Sequence, residues 1–212
     1  MTLFRSVSGP SISVILPTIS TRTALYDEAR ACLGAQTLDP SEFEIVTACD
    51  DSMDAGKFNR MVDRAKGEYV LWHADDDRLR PQCLERMLVK ARETGAHVVS
   101  SDVQTFSAEG LGPIARFTDT PWTFESFRNG PPIWITALVD RARLVEAGGY
   151  DFTRLVYADW ALWYELWKKG AQNRHVSDVL WEYRSHPDQA STRIDMKACR
   201  AAFYAAYPEL FP

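Results

Sequence analysis

The chain has 212 residues, 46% hydrophobic and 12% aromatic, enough apolar material for one large domain or two small ones and too much for a disordered chain. A net charge of −5 without any basic run excludes a general nucleic-acid-binding role. No run of about 18 apolar residues exists to cross a membrane, the N-terminus lacks a signal-peptide core, and Cys32, Cys49, Cys83 and Cys199 are too scattered for a disulfide framework or a zinc site. Buried free thiols in a cytoplasmic protein are expected.

Residues 12–16, "ISVIL", form a short apolar run closed by Pro17 and predict a buried strand of parallel type. Over residues 22–35, Ala24, Leu25, Ala29, Cys32 and Leu33 recur at helical spacing. "FEIVTA" (43–48) predicts a second strand ending at Asp50 and Asp51. A helix over 56–66, a strand over 68–73, a helix over 81–94 with Pro81 in its first turn, and a strand in "AHVVSSDV" follow. This alternation across residues 12–103 predicts an α/β fold with a Rossmann-like, mainly parallel sheet and helices on both faces. From about residue 104 the composition shifts toward Gly, Pro and Thr, which predicts a loop-rich insert with a hairpin near Gly110 and Gly112. "IWITALV" (133–139) returns as a strand, and "DRARLVEAGG" as a short helix stopped by glycine. Residues 158–170 predict an amphipathic helix, "WEYRSH" a last strand-like piece, and 194–206 a C-terminal helix. The expected organisation is one domain of two halves (12–103 and 104–192) and a C-terminal helix (193–212).

Three consecutive carboxylates, Asp75, Asp76 and Asp77, end the third strand in "EYVLWHADDD". Their repulsion calls for a cation, and a hard divalent metal with oxygen ligands is the natural candidate. The plainer reading is a solvated acidic turn. Asp50 and Asp51 end the second strand, and in a parallel sheet both strand ends face one crevice. Such a crevice suits a nucleotide diphosphate neutralised by metal. No glycine loop for phosphates is present. Asp159 opens an aromatic helix beside Trp160 and Trp163; it reads either as a helix cap or as a general base in an aromatic-walled pocket. His186, in "YRSHPDQAS", is a structural loop residue or a metal ligand, and Arg184 is placed to meet a phosphate.

These stretches, in this order, resemble the family-2 inverting glycosyltransferases of GT-A fold. "SVILPT" resembles the opening strand of that family, "EIVTACDDS" its nucleotide-contacting strand end, and "KFNRMVDRAKGEYVLWHADDDRLRP" its helix, strand and DXD motif. "ALVDRARLVEAGGYD" is similar to the acceptor-side strand and helix, "YADWALWYELWKKG" to the Glu-Asp helix start, and "YRSHPDQAS" to the closing His loop. The resemblance covers residues 12–192. It implies donor contacts at Pro17, Asp50 (to the base), Lys57, Asn59, Asp75, Asp76 and Arg184. It implies DXD carboxylates at Asp75 and Asp77, with Asp77 as direct metal ligand, and a one-residue shift of the triplet would bring in Asp76. It further implies Asp159 as catalytic base and His186 at the metal or diphosphate. The chain departs from the family at Ala158, where an acid usually precedes the base, at Ile19 and Ser20 in place of Tyr-Asn, and at "DDSM" in place of "DDGS".

The expected activity is metal-dependent transfer, with Mn²⁺ or Mg²⁺, of a sugar from a nucleoside-diphosphate sugar to an acceptor hydroxyl with inversion. The missing C-terminal membrane helices of processive synthases favour single addition. Two rivals are a nucleotidyltransferase and a non-catalytic nucleotide-sugar-binding module. The first would need no base at Asp159 and usually carries a glycine-rich basic loop that residues 17–24 lack.

Overall fold

The structure, a computed structural model, describes residues 9–52, 56–150, 158–189, 192 and 195–210. One eight-stranded sheet organises them, in the order β2-β1-β3-β7-β5-β8-β4, with β6 paired to β5. Strands β1 (Ile12–Thr18), β2 (Phe43–Cys49) and β3 (Tyr69–Trp72) are parallel neighbours. Strand β5 (Val98–Ser107) runs parallel to β8 (Asn173–Arg184). Between the two groups lies β7 (Leu138–Asp140), antiparallel to both β3 and β5. Two antiparallel pairings of β7 leave β5 pointing the same way as β3. Strands β1, β2, β3, β5 and β8 therefore share one direction. Strands β4 (Arg78–Leu79), β6 (Gly110–Ala115) and β7 run against them.

Period-2 alternation explains why the sheet is covered on both sides. Ile12, Val14 and Leu16 of β1 enter one core with Tyr69 and Leu71 of β3, packed by α1 (Thr23–Gly34) and α3 (Cys83–Thr94). Ile15, Val70 and Trp72 face the opposite core, with Met61 and Val62 of α2 (Gly56–Arg64), α5 (Ala158–Lys168) and α6 (Met196–Ala206). A short α4 (Arg141–Glu146) follows β7. Gly67 enters β3 so close to β1 that a Cβ there would lie 2.5 Å from the Ser13 nitrogen. No helix among the described residues is long and apolar enough to cross a membrane.

Several expectations shift. Strand 133–139 contracts to Leu138–Asp140 and is antiparallel. The piece at 181–186 is the end of the much longer β8, whose early residues carry a polar pattern. The segment 158–170 is not amphipathic. Trp160, Ala161, Leu162, Trp163, Tyr164 and Leu166 are all buried, because α5 is wrapped by α6 and the loop before β7. The hairpin near Gly110 and Gly112 is present as β5–β6. All four cysteines are free, but only Cys83 and Cys199 are buried; Cys49 is exposed at the end of edge strand β2.

Candidate active site

The carboxyl ends of β1, β2 and β3 lie side by side, which is where an open α/β sheet binds ligands. Thr18, the last residue of β1, joins the two acidic strand ends. Its carbonyl accepts from the Asp50 N–H (3.1 Å), and its hydroxyl donates to Asp75 Oδ2 (2.7 Å). Pro17 stands one residue earlier, in register with Ala48 of β2.

The three aspartates diverge. Asp75 faces the crevice and is held by Thr18 and by Arg22 Nη1 (2.9 Å). Asp76 takes the same Arg22 nitrogen on Oδ2 (3.0 Å), and His186 Nε2 donates to that same oxygen (3.1 Å). Asp77 turns inward, 3% exposed, and accepts the Arg184 backbone N–H (2.9 Å). Burial, then the charge of Asp76, pushes the Asp77 carboxyl well above the usual range. The sequence pairs Asp77 with His186 as metal ligands; the fold brings His186 to Asp76 instead. The nearby His73 adds no counter-charge, because full burial pushes its imidazole down to about 4.

The counter-ion the triplet needs is Arg22, at the N-cap of α1. Burial opposes its charge, but Asp75 and then Asp76 outweigh that, and its pKa is raised. Sequence reading assigned Arg22 no role, and its only signal is a cation just after a strand end. Arg184, expected at a phosphate, is committed elsewhere. Its Nε donates to the Asp76 carbonyl (2.7 Å), its Nη2 pairs with Glu28, and its guanidinium stacks 4.4 Å from the Phe106 ring.

Lys57 is buried, and its Nζ donates to the carbonyls of Asp50 (2.7 Å) and Ser52 (2.9 Å), fixing the loop after β2. The Ser52 hydroxyl and N–H hold the Asp50 carboxyl below its ordinary value. Asp51, expected beside Asp50 at the crevice, clamps Ser20 by accepting its N–H and hydroxyl, both at 2.6 Å. Asn59 reaches away from the aspartates: it accepts from Tyr150 N–H (2.8 Å) and donates to Gly148 O (3.3 Å). It pins the turn at Gly148 and Gly149, both at positive φ.

Asp159 lies in the first turn of α5, its carboxylate accepting the Trp160 N–H (2.8 Å). Burial pushes its pKa up to about 6, against the bonds from Trp160 and its own N–H. A carboxyl raised in this way is suited to proton transfer as well as to capping the helix. Trp160 fixes its place by stacking on Phe203 (3.7 Å, 12°) and donating from Nε1 to Phe127 O (3.0 Å). Residues 151–157, just before it, and residues 190 and 191 of the His loop lie outside the described residues.

No group of three or more His, Cys, Asp or Glu side chains closes on a metal position among the described residues. The donor chemistry fits one all the same. Mg²⁺ and related ions take one or two carboxylates, with substrate phosphates completing the shell. Asp75, Asp76 and the His186 imidazole supply that partial set at the mouth of the crevice.

Residues 53–132 match the model of glycosyl transferase family 2. That similarity covers 80 of the 212 residues, less than half of the chain. That segment runs from α2 through all three aspartates to the loop after β6, and agrees with the resemblance carried by the motifs. No match was found among curated proteins. Among solved structures, S. aureus TarS shares the GT-A fold at TM-score 0.64 and 17% identity, covering 84% of this chain and 37% of TarS. TarS 1–349 with UDP-GlcNAc matches at TM-score 0.66 and 18% identity, covering 87% and 61% of the two chains. The UDP complex matches at 0.61 and 19%, covering 84% and 61%. At these identities the likeness shows the fold, and the chain spans 37–61% of the length of these solved chains.

Proposed function

We propose that this chain is a metal-dependent, inverting glycosyltransferase that moves a sugar from a nucleoside-diphosphate sugar to an acceptor hydroxyl. One observation carries the reading: Asp75 and Asp76 stand together after β3, inside the stretch that matches family 2, with Thr18 linking Asp75 to Asp50. The UDP and UDP-GlcNAc complexes of TarS support uridine nucleotides as the first donors to test. Asp50 and the loop braced by Lys57 form the nucleotide side of the crevice. Asp76 and His186 would hold Mn²⁺ or Mg²⁺, with Asp75 beside them. The cation would supply charge neutralisation on the leaving diphosphate.

Asp159 takes the proton of the acceptor hydroxyl as its oxygen attacks the anomeric carbon from the face opposite the leaving group. A single displacement inverts that centre and needs no covalent enzyme intermediate. Asp77 and Arg184 hold the aspartate loop in place rather than touching the donor.

The test is calorimetric titration of UDP-sugars in Mn²⁺ and then in EDTA, with donor hydrolysis followed in parallel. Binding and turnover that need Mn²⁺ and vanish in Asp76→Asn are expected. Equal binding and turnover in EDTA would remove the metal from the reading. No binding of any nucleotide sugar would remove the reading altogether.

A further inference from the structure

We infer that Arg22 is an internal substitute for the divalent cation, occupying its place between Asp75 and Asp76 until the ion displaces it. The inference rests on the metal reading above. A single nitrogen, Nη1, lies 2.9 Å from Asp75 Oδ1 and 3.0 Å from Asp76 Oδ2, so one positive centre bridges both carboxylates. A Mn²⁺ or Mg²⁺ ion bound to those oxygens at about 2.1 Å would fall within contact distance of that nitrogen. The ion and the guanidinium therefore exclude one another.

Charge and geometry both favour the exchange. Two ionised carboxylates against one guanidinium leave a negative site, which a dication neutralises more fully. Arg22 is also free to leave. Its side chain is 23% exposed, it makes no side-chain cap to α1, and among the described residues its Nη2 holds the Asp188 carbonyl at 3.3 Å. The described groups facing the site beyond Arg22 are Thr18, which stays on Asp75, and His186, whose Nε2 would leave Asp76 Oδ2 to join the ion. Thr18 keeps Asp75 in position during the exchange. An empty crevice is thus kept from collapse by charge repulsion, at the cost of weaker ion binding before a nucleotide arrives.

Competition has a sign that a purely structural role lacks. Removing a competing charge-assisted pair should tighten Mn²⁺ binding, whereas removing a brace that orders the carboxylates should weaken it. Mn²⁺ affinity is measured by electron paramagnetic resonance on the whole chain, without nucleotide and with UDP. In Arg22→Gln, Mn²⁺ alone should bind roughly ten- to a hundredfold more tightly than in the unaltered protein. Arg22→Ala should behave alike, and added guanidinium ion should weaken its Mn²⁺ binding, so a folding failure of one variant leaves the other to decide. Unchanged or weaker Mn²⁺ binding in both variants, with the unaltered protein still binding Mn²⁺ with UDP, overturns the inference alone. If no form binds Mn²⁺ even with UDP, the metal reading falls and the inference falls with it.

Discussion

Asp76 and Asp77 are chain neighbours in opposite surroundings, and their amides should behave oppositely. Asp76 shares the crevice with Arg22 and His186, whereas Asp77 is buried against the Arg184 N–H. Asp76→Asn should lose Mn²⁺-dependent UDP binding. Asp77→Asn keeps the acceptor for Arg184 and should leave Mn²⁺ affinity unchanged. It should also be more stable to urea at pH 8. The sign follows from the raised carboxyl: its contribution is full below the unfolded value, near 3.9, and is lost as pH rises through the raised folded value. The gain over the unaltered protein should therefore shrink toward pH 4. A loss of Mn²⁺ affinity in Asp77→Asn would return Asp77 to the metal. At Asp159 the base must be ionised, so kcat/KM should rise with pH through about 6 and level off above it. Asp159→Asn preserves a helix-capping acceptor but not the base, so turnover should fall by about 10²–10⁴-fold with UDP affinity intact. Near-normal turnover would leave Asp159 as a cap.

At the scale of elements, the β1–β3 contact holds the crevice open, and Gly67 sets its closeness. A Cβ there would meet Ser13 N, Ile12 C and Tyr69 O at 2.5–2.8 Å, all of them backbone atoms that cannot rotate away. Gly67→Ala should cost at least about 1–3 kcal/mol in urea unfolding, and an unchanged midpoint would show that β1 and β3 can separate freely. The elements legible in the sequence are those whose pattern is local. "ISVIL" and "YVLW" alternate into two apolar cores, so both strands were evident. The start of β8 was not, because its first two buried positions, Asn173 and His175, are polar. Asn173 is satisfied by Trp122 N–H and Thr120 O, and His175 by Ser100 and Asp102, none of them near in sequence. The site divides in the same way. Aspartates at strand ends are visible as a run. Their partner Arg22 lies 53 residues from Asp75, and only the folded sheet joins the two.

Across the whole molecule, the aspartate side and Asp159 rest mainly on different cores of the sheet, with α2 and its Lys57 on the same core as α5. The core with α1 and α3 lies under the Arg22 and aspartate side, while the core with α5 and α6 fixes Asp159 through Trp160. Trp160 is the joint. It stacks on Phe203 of α6, meets Tyr204 edge-on at 6.1 Å, and donates to Phe127 O. Trp160→Ala would leave a cavity under α6 and should cost about 3–5 kcal/mol. Because stability is not uniform, the loss should appear first as faster amide exchange across residues 196–206, with β1–β3 amides protected until global unfolding. Below the unfolding transition, UDP should still bind in Mn²⁺ with near-normal affinity, since no donor-side group touches Trp160. Turnover should nevertheless fall, because the backbone N–H at residue 160 remains for Asp159 but the ring that anchors this turn of α5 is lost. Equal losses of UDP affinity and turnover would mean that the cores act as one unit. A fall in turnover alone would place the acceptor chemistry on the α5–α6 side of the sheet.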